Sequence, residues 1–114
     1  MPAQSYLVLG DLLRVLNKAT DKNALTWCRT AEEDTFRTES GLGMVRISQG
    51  SLDRSYTLSL IDQEGNLLGE YEPTEPGDVA AFETLYQKVR GKVLNLDRKL
   101  KGLYEHIKDL AGES

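Results

Sequence analysis

Cysteine and histidine occur once each in these 114 residues, as Cys28 and His106, and aromatic residues make up only 7%. One cysteine cannot close an internal disulfide. A thiolate nucleophile needs a base at hand, yet Cys28 falls in a strand-like segment and His106 in a helical one, with nothing in the pattern to join them. Cys28 therefore reads as an inert sheet thiol, and His106, between Glu105 and Asp109, as a solvated side chain. No apolar run approaches the 18 or more residues of a spanning helix, so no membrane segment is expected. The opening Met1-Pro2-Ala3-Gln4 lacks the basic and apolar run of a secretion signal, and with the lone thiol this points to a reducing cytoplasm. Basic residues are in deficit, 14 Lys and Arg against 18 Asp and Glu for a net charge of −4, so nucleic acid and anionic lipid are not expected partners. The chain also has no internal repeat, glycosylation sequon or low-complexity linker.

What is present is ordinary soluble composition, 39% hydrophobic and 28% charged, in a length that suits one domain, residues 1–114, with one core. The most regular segment is the last third. From 78 to 110, apolar residues fall at Val79, Phe82, Tyr86, Val89, Val93, Leu96, Leu100, Leu103, Ile107 and Leu110, in alternating steps of three and four. That is a heptad stripe on one amphipathic helix, with Val79, Tyr86, Val93, Leu100 and Ile107 at a and the others at d. Such a helix runs roughly 50 Å, whereas a strand of five or six residues spans about 17–20 Å. A sheet alone cannot cover it.

Upstream, Leu9, Leu12, Leu13, Leu16 and Ala19 recur at helical spacing and predict a first helix over about 5–20, with Ser5 as its cap. Leu7, Val8 and Val15 widen its apolar face, which suggests burial between two partners. Gly10 weakens it by about 1 kcal/mol unless close packing uses the missing side chain. Asn23 can take the left-handed conformation that ends a helix. Over about 24–71 the period changes from 3.6 to 2, giving strands at 25–30, 35–40, 44–48, 56–61 and 67–71. Links of hairpin length favour an antiparallel meander. Leu25, Trp27, Phe36, Val45, Ile47, Tyr56, Leu58, Leu60 and either Leu68 or Tyr71 share the core face, and Thr26, Cys28, Thr35, Arg37, Glu39, Arg46, Ser48, Thr57 and Ser59 the wet one. The Pro-rich connection 72–77 leads into the long helix, about 78–110, with Asp78 as its expected cap. The fold class is α+β: an amino-terminal helix, a five-stranded antiparallel meander and a long carboxy-terminal helix, with both helices on one face of the sheet.

Several clusters could carry chemistry, and each has a plainer reading. Asp62, Glu64 and Asn66 around Gly65 alternate like oxygen ligands of a calcium loop, but the glycine comes one position early and no closing bidentate Glu follows, so a hairpin turn is expected. Gly41-Leu42-Gly43 has no following helix and no Lys-Ser or Lys-Thr to make a phosphate loop. Glu32, Glu33 and Asp34, and Glu70, Glu72 and Glu75, are acidic loops without a pocket to separate their pKa values. No catalytic, metal-binding or cofactor-binding set is expected. Arg37 and Arg46, on neighbouring strands of the wet face, are a weaker alternative site for a carboxylate or phosphate, against ion pairing across the strands, and a cleft between helix and sheet is the other place where a small ligand could bind.

The stripe itself carries the leading functional reading. Val93, Leu96, Leu100, Leu103, Tyr104, Ile107 and Leu110 are the candidate interface, bordered by the mixed charges Arg90, Lys92, Asp97 and Lys99. The expected partner is a second copy of the chain, giving a homodimer, or else a different protein. The alternative is a wholly internal stripe, with the helix bending at Gly91 so that both halves lie over the domain.

One resemblance covers nearly the whole chain. It rests on Leu-x-x-Leu in a first helix ending at Ala19-Thr20, Leu25-x-Trp27, Tyr56-x-Leu58-x-Leu60-x-Asp62-x-x-Gly65, and Leu85-Tyr86-x-x-Val89-Arg90. In this order the features resemble small bacterial proteins of unassigned function with a helix, a five-stranded meander and a longer helix. The resemblance implies a bacterial cytoplasmic domain and transfers no active site.

Overall fold

The computed structural model describes residues 7–113. Two helices and five strands follow one another as α1 (Leu9–Asp21), β1 (Trp27–Arg29), β2 (Thr35–Ser40), β3 (Gly43–Gln49), β4 (Tyr56–Asp62), β5 (Leu67–Tyr71) and α2 (Pro76–Leu110). The strands form one antiparallel sheet in the order β1-β2-β3-β4-β5, and the helices contact it to give an α+β fold.

Helix α1 ends where its sequence says it should. Asn23 takes φ 58°, and the amides of Asn23 and Ala24 donate back to the carbonyls of Thr20 and Ala19, the paired bonds of a Schellman cap. Its expected cap Ser5 lies outside the described residues, but the helix starts at Leu9 rather than near residue 5, with extended Val8 as its flanking residue and no side-chain cap bond. Only Leu13, Leu16 and Thr20 of α1 are buried, while Val15 stays half exposed, so the helix is covered on one side rather than between two partners. It lies alongside α2 in the same direction, with Asn17 accepting from Lys88 at 3.0 Å, Asp21 ion-paired to Lys88 at 3.0 Å, and Asn23 accepting from Lys92 at 2.8 Å. At the other end of the pair, a Cβ on Gly10 would stand 3.1 Å from Asp78 Oδ1. Close approach of the two helices there explains the glycine.

Helix α2 begins two residues earlier than expected. Pro76 occupies its first position, where a missing N–H is no loss, and Glu75 is the flanking residue without a side-chain cap. Asp78 is thus not the cap; it sits in the first turn, where its charge still suits the helix dipole. The far end closes at Gly112, φ 80°, with amides of Gly112 and Glu113 returning to Asp109 and Lys108.

The core forms between the inner face of the sheet and the first half of α2. Phe82 stacks on Tyr56 with ring centroids 5.0 Å apart, and Tyr86 lies 5.6 Å from Phe36. Leu13, Leu16, Trp27, Ile47, Leu58, Leu85, Val89 and Val93 complete it. Its buried polar atoms are matched: the Trp27 indole donates to Thr20 Oγ1 at 3.0 Å, and the Tyr86 hydroxyl donates to the Asp34 carbonyl at 3.1 Å. The second bond anchors the acidic β1–β2 turn to α2, so that turn is more than a solvated tip.

The outer face departs from the expected polar set. Ile61 pairs with Met44 and Leu67, all on the side away from the helices, and Ile61 is buried there without joining the main core. Of the two core candidates in β5, Tyr71 lies inward, opposite Leu58, and Leu68 is exposed, while a register shift between Leu60 and Ile61 sets Leu67 beside outward Ile61.

Candidate functional site

Helix α2 crosses the sheet obliquely and then leaves it. Phe82 meets Tyr56 at the start of β4, Tyr86 meets Phe36 on β2, and Asp97 forms an ion pair with Arg29 on β1. Because β1 is the edge of the sheet, the helix beyond Asp97 has no platform beneath it. From Arg98 to Leu110, roughly 20 Å of helix, no residue is buried. The molecule is accordingly 63 Å long but only 31 and 29 Å across.

The expected interface residues divide at this point. Val93 is 2% exposed and belongs to the chain's own core, so its place in the interface is corrected. The others stand in solvent: Leu96 at 44%, Leu100 at 55%, Leu103 at 56%, Tyr104 at 64%, Ile107 at 54% and Leu110 at 74%. At ordinary side-chain areas these exposures amount to roughly 600 Å², comparable to the largest apolar patch on a typical monomer. The helix is unbroken through Gly91 and Gly102, and a Cβ at either would meet nothing within 4 Å. The bend that would have folded the second half back over the domain is absent from the described helix.

At the root of the overhang, Asn23, Leu25, Thr26, Trp27, Lys92 and Leu96 border a cleft of about 300 Å³ between the α1–β1 loop and α2. Sequence reasoning allowed for a cleft between helix and sheet but named none of these residues, since only the crossing of α2 over the edge strand brings Trp27 and Leu96 to one cleft. The same crossing makes the Arg29–Asp97 brace.

Arg37 and Arg46, the alternative site, are directly opposed across β2 and β3 in a row that runs Cys28, Arg37, Arg46, Ser59, Glu70 across the five strands. The expected ion pair across the strands is not what forms. Arg37 pairs along its own strand with Glu39, Ser59 donates to Glu70 at 3.4 Å, and Arg46 has no ion pair among the described residues. Beside this row Arg37, Glu39, Met44, Ile61 and Gln63 line a shallow groove of about 380 Å³. Strand parity could have exposed its apolar floor, because Met44 alternates with Arg46, and Ile61 with Ser59.

The remaining clusters have structural employment. Asp62 accepts the amides of Asn66 at 2.8 Å and Glu64 at 2.9 Å, which holds its carboxyl below the ordinary 3.8 and fixes the β4–β5 turn around Gly65 at φ 89°. Asp53 does the same for Ser55, whose amide and hydroxyl lower its pKa. Cys28 is exposed on the outer face, while His106 stands on the overhang, so the structure does not bring them together. Among the described residues no helix is long and apolar enough to cross a membrane. Compared with protein-family models, curated proteins and solved structures, the chain matches none.

Proposed function

We propose that this protein is a non-enzymatic interaction module that associates with a second copy of itself through the carboxy-terminal half of α2. The observation that carries the reading is the overhang: a core stripe that continues past the edge of its own sheet as Leu96, Leu100, Leu103, Tyr104, Ile107 and Leu110, all open to solvent. Covering such side chains is worth on the order of 25 cal/mol per Å² of apolar area removed from water, a substantial drive towards association. On the resemblance alone, its setting is a bacterial cytoplasm. Acidic residues are in excess, and among the described residues the outer-face row Cys28, Arg37, Arg46, Ser59 and Glu70 holds no aromatic to stack a base, so the proposed partner is a protein rather than nucleic acid.

Light scattering across a concentration series tests this, with a dimer expected and a monomer at high concentration overturning it. The paired variant Leu100→Glu with Leu103→Glu should give a folded monomer. Unfolding instead would mean that these leucines support the domain itself.

A second reading is favoured by one observation, the opposed arginines. Like charges facing each other across strands are destabilising, and Arg46 lacks an ion pair among the described residues. A carboxylate or phosphate bound over the row would relieve that repulsion. A ligand at a hundred times its dissociation constant stabilises the fold by about 2.7 kcal/mol, so thermal shifts with phosphate and dicarboxylates, lost in Arg46→Gln, would support it.

A further inference from the structure

We infer that the two copies pair with their overhangs antiparallel, each filling the layer that the other's sheet leaves vacant. The inference rests on the self-association proposed above and adds its geometry. The stripe is continuous, and its first half is already occupied: Phe82, Val89 and Val93 face the chain's own core. A straight helix drifts only about 20° per heptad, so the exposed members two heptads on still point towards the sheet side. A partner helix packed against them at about 8–10 Å therefore lies level with the sheet, just beyond β1.

Orientation decides whether that position is open. In a parallel pair, the first half of the partner's α2 would run back along the occupied half of the stripe and into the sheet. In an antiparallel pair it runs the other way, and the partner's domain lies past Leu110. The overhangs then match in length, and alternate layers fix the register: Leu100 against the partner's Leu103, and Leu96 against the partner's Ile107. The same register sets Asp97 beside the partner's Tyr104, a hydroxyl donor for a carboxylate already braced by Arg29. It also brings the partner's Leu110 to the root of the overhang, where Leu25, Trp27 and Leu96 border an open cleft. With roughly 600 Å² from the stripe and more from flanking lysine stems, each side approaches the 800 Å² per partner of a standard interface. A second copy suits this surface because its own ridge has the same length, the same leucine spacing and the same unmet apolar area.

Crosslinking separates this arrangement from its rivals. In a Cys28→Ser background, chains carrying Leu96→Cys and chains carrying Ile107→Cys are mixed and treated with a short bis-maleimide. Covalent dimers joining one variant to the other are expected, with little product from either variant alone. Self-linked dimers at both positions would overturn the antiparallel geometry while leaving self-association intact. A monomer by light scattering would overturn both. Spin labels at exposed Gln87 and Glu105 avoid altering the stripe: the antiparallel pair puts the Gln87 labels about 40 Å apart along the axis and the Glu105 labels about 10 Å. A parallel pair gives the same separation at both, which would refute the proposal.

Discussion

The two halves of α2 carry one stripe and meet opposite fates. Between Phe82 and Val93 every a and d residue is buried against the sheet and α1, whereas from Leu96 to Leu110 every one is open to solvent. Spacing does not distinguish them, since steps of three and four run unbroken from Phe82, Tyr86, Val89 and Val93 into Leu96, Leu100, Leu103, Ile107 and Leu110, apolar throughout. The difference lies in what stands opposite. The first half crosses strands β4 to β1, and the second begins where the edge strand ends. A heptad pattern thus specifies an apolar face, and the geometry of the rest of the chain decides how much of that face its own domain covers.

Substitution should break that symmetry of sequence. Phe82→Ala removes a fully buried ring from the Tyr56 stack, and a loss of about 3–5 kcal/mol is expected in urea unfolding. Leu103 is also a d residue, yet truncating it should leave the unfolding of a monomeric variant within about 0.5 kcal/mol. Equal losses at the two sites would mean that the overhang packs on its own domain.

A smaller effect is expected at Tyr86, whose hydroxyl ties the buried half of α2 to the β1–β2 turn. Burial first, and the nearby charge of Asp34 second, push its pKa up to about 12. Because this value lies above the ordinary 10, the folded state holds its proton more tightly than the unfolded state. Its contribution is complete below pH 10 and declines as pH rises from 10 to about 12, by as much as about 1.4 kcal/mol per unit. Tyr86→Phe should lose about 1 kcal/mol at neutral pH, since the Asp34 carbonyl keeps the Gln49 amide as a donor. The same variant should flatten the alkaline decline, leaving the part due to Tyr56, whose pKa burial also raises. An unchanged alkaline profile would remove Tyr86 from the account.

Local signals in the sequence were sufficient where a structure depends on its immediate neighbours. β2 and β5 have the bounds their alternation predicts, and Asn23 ends α1 through bonds made within a few residues. Features created by distant segments were not legible. Trp27 meets Leu96, and Arg29 meets Asp97, only because α2 slants over the edge strand. Alternation offers either Leu68 or Tyr71 for the core and Tyr71 takes it, but Leu67, of the same parity as Tyr71, lies opposite outward Ile61 through a register shift that strict alternation cannot express. Spacing alone places Val93 with the outer interface, because nothing in an evenly spaced stripe marks the residue at which the platform ends. The arginine row was legible as a shared face, but Arg37 chose Glu39 on its own strand, a choice of side-chain geometry rather than register.

A paired substitution sharpens the comparison most, because the same change can be made on both halves. Gly91 and Gly102 are both exposed helical glycines, and an added Cβ at either meets open space. Alanine should strengthen the helix at each by about 1 kcal/mol. At Gly91, near the last buried turn, the gain is coupled to global unfolding and should raise the midpoint in urea. At Gly102 a monomer's overhang can fray without the domain, so alanine there should increase helical circular dichroism while leaving the domain's midpoint unchanged. In the proposed dimer, however, the overhang must be ordered for the interface to form, and part of the Gly102→Ala gain should appear as tighter self-association. A shift of the monomer's midpoint as large as that of Gly91→Ala would mean that both halves of α2 unfold as one unit.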